Sequence, residues 1–300
     1  MHMLELELES GRRWLSEGDV RIPIAEFGTC RACHHGSVFL LASGPSASKF
    51  PLSRYADWPV IAMNGSIVRC ADQHISPFFY ICDDPGFVRD RPDLACLGAR
   101  SAVHLAMSLD CFQALHRYDP SVLPQRTEVM LLERVNRIHG LAVRSDRAYA
   151  WSVRNDPDLI CGFSLWRRKA NRIGFSRDLS KGYFGARTIP YAAVQLACHL
   201  GFNQIFIVGM DLNTSIGRFY ETGAAALPSS LDEDFDDYIL PSFRILAEKV
   251  MPRFSLRLFN LSQDSRLPAS VVPKVEPTEL DALLAGEMAA PGGKRFQVRS

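Results

Sequence analysis

Three hundred residues are enough chain to bury a sizeable core in one large domain or two small ones. Hydrophobic residues at 47% and charged residues at 22% are the proportions of an ordinary soluble globular protein. A formal net charge of +1 excludes a globally basic nucleic-acid binder, and no run approaches the roughly 18 consecutive apolar residues of a spanning helix.

The N-terminus alternates leucine with glutamate and carries no apolar leader core, so a cytoplasmic chain with its eight cysteines as reduced thiols is expected. Cys30, Cys33, His34 and His35 stand together in CRACHH. Cys-x-x-Cys-His is a haem-attachment pattern, and paired thiols can be half of a zinc site. Haem attachment requires export, and a structural zinc site requires four ligands. No second close Cys/His pair follows, so the segment reads as a loop ahead of the first buried strand.

That strand is predicted over Ser37 to Leu41, a continuous apolar run that ends in the turn residues Gly44, Pro45 and Ser46. A second, Val60 to Met63, ends in Asn64, Gly65 and Ser66. A third, Phe78 to Cys82, ends in Asp83 and Asp84. Weaker strands are expected near Ser101 to Leu105 and Val129 to Leu132. Thr188 is positioned to cap a helix with Pro190 in its first turn, which runs through AAVQLACHLGF to Gly201. The strand Ile205 to Val208 follows and ends in Gly209, Met210 and Asp211. A further helix begins near Pro241 and leads into a strand over Leu256 to Phe259.

Short apolar strands alternating with helices predict an α/β fold: a Rossmann-like, mostly parallel sheet with helices on both faces. In such sheets ligands sit beyond the carboxyl ends of the strands. Four strands here end in small or polar groups, which points to a nucleotide or sugar pocket. Residues 132–187 break the alternation and hold twelve basic residues against five acidic ones, so they are read as a small inserted lid. The domain is expected to span residues 1–285, with a last helix begun by Thr278 and a flexible tail over 286–300.

LASGPSASKF has one glycine and matches neither the dinucleotide nor the P-loop pattern. No G-x-S-x-G elbow is present. Asp83 and Asp84 either hold a divalent metal, as acidic sugar-transferase motifs do, or meet sugar hydroxyls without one. The metal-free reading is preferred, because fixed donors can offset the charge of a single leaving phosphate.

The ordered motifs VFLLASGPSASKFPLS, VIAMNGS, PFFYICDD, IGFSRDLSKGY, TIPYAAVQLA, VGMDLN, RFYE, LPSSL, ILPSF and FNLSQDSR together resemble the lipopolysaccharide core Kdo transferase family. The likeness covers most of Val38 to Arg266. GPS, Asn64 and GMD are more distantly similar to motifs of bacterial sialyltransferases that use CMP-sugars. The resemblance implies Gly44, Pro45, Ser46, Asn64, Gly65 and Gly209 near a cytidylate, bordered by Asn260 and Ser262. It also implies Tyr183 on the donor phosphate, with Arg177 and Lys181 adding charge there. The sialyltransferase pattern supplies a histidine base that this chain lacks. His199 lies inside a helix and reads as packed, so the base is sought among Asp211, Glu221 and Asp234.

The function so implied is transfer of Kdo from CMP-Kdo to a Kdo residue of the lipopolysaccharide inner core. No cofactor is implied, CMP-Kdo being a substrate, and no nucleic-acid partner. Trp166 with its neighbouring cations would face a phosphorylated glycolipid or an anionic membrane surface, which suggests a peripheral position on the inner membrane. Three rivals stand beside this reading: transfer of another CMP-ulosonic acid, pterin pyrophosphokinase chemistry, and a non-enzymatic scaffold.

Overall fold

The computed structural model describes residues 4–126, 128–213, 218–220 and 231–289. Among the described residues the main sheet has ten strands, and two more form a separate two-stranded ribbon. In chain order the strands are β1 (Glu5–Glu9), β2 (Arg12–Glu17), β3 (Val20–Ala25), β4 (Ser37–Leu41), β5 (Val60–Met63), β6 (Phe79–Cys82), β7 (His104–Met107), β8 (Val129–Leu131), β9 (Leu159–Cys161), β10 (Gly174–Ser176), β11 (Gln204–Val208) and β12 (Arg257–Asn260). The sheet order is β1-β2-β3-β8-β7-β6-β5-β4-β11-β12, and every pair from β3 through β12 is parallel. The expected α/β fold is the observed one.

The buried apolar runs follow from two-sided packing. In β4, Val38 and Leu40 join one core with the Ile189–Leu200 helix, while Phe39 and Leu41 join a second core with the helices between Pro85 and Tyr118. Helices cover both faces, so alternate side chains have no water to meet and all five residues of β4 are buried. The chain winds from β4 outward through β5, β6, β7 and β8, then returns to the other side of β4 for β11 and β12. The topological switch lies at the tips of β4 and β11.

Some boundaries move. Strand β7 begins at His104, because residues through Ser101 complete the Pro92–Ser101 helix. The Leu/Glu alternation at the N-terminus forms β1, which pairs antiparallel with β2 and extends the sheet beyond β3. The helix expected near Pro241 begins at Leu231 and reaches Phe254, with wide π turns at Phe235–Ile239 and Leu246–Val250. Pro241 and Pro252 each come just after such a turn. A proline lacks the N–H and crowds the carbonyl one turn back, and the wider turn gives its ring room. The last helix, Pro277–Ala289, continues past the expected boundary at residue 285. Glu287 within it accepts the Ser37 N–H at 3.0 Å and the Ser37 hydroxyl, which ties this stretch to the start of β4. Residues 290–300 lie outside the described residues. No helix among the described residues is long and apolar enough to cross a membrane.

Residues 132–187 add no strand to the main sheet. They carry the two-stranded β9–β10 ribbon and the Asp146–Ser152 helix. Buried Gln195 joins them to the body: its Oε1 accepts the N–H groups of Ser176 and Phe184, and its Nε2 donates to the Phe184 and Tyr191 carbonyls.

Candidate active site

A cleft of about 790 Å³ opens at the switch point. Ser43, Gly44 and Pro45 after β4, Asn64 after β5, Asp83 and Asp84 after β6, and Gly209 to Asn213 after β11 all line it. Parallel strands end on the same side of a sheet, so their polar tips are brought together whatever their separation in sequence.

Beneath the cleft the GPS and GMD turns interlock. The Gly44 N–H donates to Gly209 O at 2.8 Å, and the Ser46 N–H donates to Asp211 Oδ2 at 2.9 Å. The Ser46 hydroxyl lies 2.7 Å from that of Ser262, whose N–H donates to Asn260 Oδ1. This close approach explains both glycines. A Cβ on Gly44 would stand 2.3 Å from Asp211 Oδ2, and Gly209 has φ +75° with the Ala42 carbonyl 2.7 Å from where its Cβ would be.

A second wall is charged. Asp83 Oδ2 accepts from Arg134 Nη2 at 2.7 Å and from the Tyr183 hydroxyl, and Arg134 Nε lies 3.3 Å from that hydroxyl. Burial, reinforced by the Asp83 carboxylate, pushes the Tyr183 phenol well above its ordinary value, so it stays a neutral donor. Burial opposes the Arg134 charge, but the Asp83 carboxylate and the hydrogen bond to Tyr183 outweigh it and raise that guanidinium above its usual value. Asp84 works differently, capping the Pro85–Asp90 helix by accepting the Phe87 N–H at 3.1 Å.

The third wall is the start of the Ile189–Leu200 helix. Thr188 occupies the cap position, but its side chain makes no capping bond, contrary to expectation. Pro190 has no N–H and the Tyr191 N–H goes to the Thr188 carbonyl, so what this end brings to the cleft that Thr188, Ile189 and Pro190 line is the partial positive charge of the helix dipole. Four of the eight non-glycine residues with positive φ among the described residues also line it: Asn64, Asn136, Arg187 and Leu212. Such backbone is disfavoured and persists where surrounding contacts fix it, commonly at functional sites. Asn64 Oδ1 is buried with no hydrogen-bond partner among the described residues, which leaves an acceptor for a ligand. Asp234 also lines the cleft, its Oδ1 3.9 Å from Arg187 Nε, as does Tyr238.

Of the residues singled out in the sequence, Gly44, Pro45, Asn64, Asp83, Asp84, Tyr183, Gly209, Asp211 and Asp234 line one cleft. Ser46, Asn260 and Ser262 do not, because their polar groups are spent on one another below it. Gly65 is covered, with the Tyr220 ring 2.1 Å from where a Cβ would stand. Lys181 is bound by Asp156 and Asp158, and Arg177 stacks on Phe254, so neither adds charge to the cleft. Glu221 lies outside the described residues. His199 is packed as expected, with Nδ1 accepting the Leu179 N–H and Nε2 bound to Phe27 O. Burial raises the Cys30 thiol to about 11, and no three His, Cys, Asp or Glu side chains converge on a metal-like site among the described residues.

Arg134, Asn136, Arg172, Arg187 and Tyr238 also line the cleft and were not singled out. Arg134 was open to the same strand-tip rule as the others, since it closely follows β8. The remainder come from loops whose placement depends on the fold.

A polar cleft at the switch point of a parallel sheet, walled by arginine, tyrosine and a helix N-terminus, has the form of a site for a phosphate-bearing ligand. The profile of the family described as "3-deoxy-D-manno-octulosonic acid transferase WaaZ" matches residues 22–278, and the chain belongs to that family. A probable 3-deoxy-manno-octulosonic acid transferase of Escherichia coli (strain K12) is 27% identical over 263 residues, which cover 88% of this chain and 89% of that protein. A namesake in Salmonella typhimurium is 28% identical over 242 residues, 81% of this chain and 87% of its own length. Among solved structures, the MAf glycosyltransferase of Magnetospirillum magneticum AMB-1 gives a TM-score of 0.46 at 15% identity over 89% of this chain. The match spans only 39% of that longer protein. The sialyltransferase CstII of Campylobacter jejuni, solved with cytidine-5'-monophosphate, gives 0.40 at 13% identity over 80% of this chain and 85% of its own.

Proposed function

We propose that the protein transfers Kdo from CMP-Kdo to a Kdo residue of the lipopolysaccharide inner core, working peripherally at the cytoplasmic face of the membrane. The observation that carries this reading is the convergence of the Gly44–Pro45, Asn64 and Gly209–Asp211 tips in one cleft. Kdo, the sugar of the family's name, is activated as a cytidylate. Asn64 Oδ1 would accept from the nucleotide, and the uncapped helix start at Thr188 would face its phosphate.

In this reading the acceptor hydroxyl attacks the anomeric carbon while Asp234 takes its proton. The new C–O bond forms as the bond from that carbon to the phosphate oxygen breaks, and cytidylate leaves with the electron pair. Arg134 and the helix dipole would meet the growing charge on the phosphate, and Tyr183 would turn its one proton from Asp83 to the phosphate as the donor binds, so this scheme calls on no metal ion. Asp211 acts as a positioning residue, because the carboxylate oxygen that holds the Ser46 N–H fixes the GPS turn.

Titration of the purified chain with CMP and with UDP tests the donor. CMP is expected to bind at least tenfold more tightly, about 1.4 kcal/mol, and preference for UDP would reject the proposal. Formation of a Kdo–Kdo linkage from CMP-Kdo and a Kdo-terminated acceptor tests the rest.

A further inference from the structure

A second cavity of about 540 Å³ adjoins the first, and Arg137, Asp146, Asn171 and Arg172 line both. Its polar lining carries five arginines, Arg137, Arg144, Arg147, Arg168 and Arg172, against the single carboxylate of Asp146. That carboxylate is already paired with Arg172 at 2.6 Å. The other four arginines have no carboxylate partner among the described residues. Like charges gathered around a concavity repel one another and concentrate a positive potential there, which an anionic ligand relieves.

The loops that bear these arginines are held in shape. Asn136 clamps Arg144 from both sides: its Nδ2 donates to Arg144 O at 2.7 Å, and its Oδ1 accepts the Arg144 N–H at 2.9 Å. Buried Asn171 does the same for Ser164, accepting its N–H at 2.8 Å and donating to its carbonyl at 2.9 Å. The Ser164 hydroxyl in turn accepts the N–H groups of Trp166 and Arg167. Two asparagine clamps thus fix two exposed loops that line the cavity. A merely solvated charged face has no need of that order. Trp166, also on the lining, is 89% exposed and offers a flat apolar platform of the kind sugar rings stack on.

We propose that this cavity is the acceptor subsite, and that it binds a glycan carrying at least two anionic groups, carboxylate or phosphate, with a hydroxyl directed into the neighbouring cleft. This rests on the reading of the first cleft as the donor site. Guanidinium forks suit both anions, since each can accept two parallel N–H bonds. The junction at Arg137 and Arg172 is where donor and acceptor would meet.

The test compares the full-length chain with an Arg144→Gln/Arg147→Gln double variant, with Arg168→Glu, and with Arg12→Gln on β2 as a control. The probes are a disaccharide of two ulosonic acids, its neutral methyl diester, inorganic phosphate and phosphatidylglycerol vesicles, each followed by titration calorimetry. The disaccharide should bind the wild type, with affinity falling about tenfold in the double variant and at least as far in Arg168→Glu. The control should be unchanged, the diester should not bind, and CMP affinity should be the same in all four proteins. In turnover the acceptor KM should rise about tenfold while kcat stays within twofold.

Equal disaccharide affinity in wild type and variants would overturn the proposal, as would no binding at all. Binding of phosphate as tight as that of the disaccharide would mark a bare anion site and also overturn it. Arginine-dependent binding of vesicles without the disaccharide would replace the subsite with a membrane-facing patch. If the disaccharide behaves as expected but CMP does not bind, the donor reading fails and the acidic-glycan site stands.

Discussion

At the tips of β4 and β11 the polar groups answer one another: Ser46 with Asp211 and Ser262, Gly44 with Gly209, and Ser262 with Asn260. In residues 132–187, by contrast, Arg137, Arg144, Arg147 and Arg168 stand exposed around a cavity with no carboxylate to meet them among the described residues. The first region is shaped by buried backbone and tolerates little change. The second is shaped by loops clamped through two asparagines and presents charge outward. On the two proposals made above, the difference would separate two tasks. A leaving group needs donors already in place, whereas a flexible, highly charged glycan is gathered more effectively by an open electrostatic field.

The comparison breaks most severely at the floor. Gly44→Ala should destabilise the protein by about 2 kcal/mol, because the new methyl group would meet Asp211 and the Gly209 carbonyl. It should also abolish measurable CMP binding, as read by urea unfolding and calorimetry. A variant that binds CMP normally would show that the interlock does not shape the site.

A smaller effect separates positioning from proton transfer. Asp211→Ala leaves the Ser46 N–H without its acceptor and should cost about 1–3 kcal/mol. Asp211→Asn retains an oxygen there and should keep turnover within tenfold. Asp234→Asn should lower kcat by at least about 100-fold, the loss expected when a general base is removed, with CMP affinity intact. A larger loss from Asp211→Asn than from Asp234→Asn would exchange their roles.

The smallest effect concerns pH. Burial lowers the pKa of His34, of His104 and of His199 in the folded chain. For His104 the Arg126 charge adds to burial, while for His199 the Phe27 carbonyl and Asp178 partly oppose it. The unfolded chain therefore takes up protons first. The stability these groups contribute is fully present above about pH 6.5 and is lost as pH falls through the folded values. Thermal midpoints should drop between pH 7 and pH 5, and His104→Phe should flatten that drop. An unchanged pH profile in the variant would remove His104 from the account.

The parallel sheet was legible because its strands are buried on both faces and read as unbroken apolar runs ending in GPS, NGS, CDD and GMD. The N-terminal meander was harder to see: half-exposed Leu/Glu alternation becomes a strand only when a partner such as β2 supplies the ladder. Ser46, Asn260 and Ser262 were found in the right neighbourhood but facing one another, since sequence gives the strand tip and not the direction of a side chain. Arg187 and Tyr238 left no local signal. They reach the cleft through a left-handed backbone at residue 187 and a widened helical turn at 235–239, both imposed by packing.

By itself the sequence determined the fold class and the edge of the sheet at which the cleft opens, because periodicity and turn residues are local properties of the chain. Only the tertiary structure decided which polar groups face a ligand and which are consumed beneath it. That choice rests on contacts such as Asp211 with Ser46 and Tyr183 with Asp83, between residues 165 and 100 positions apart, and no local pattern encodes their geometry.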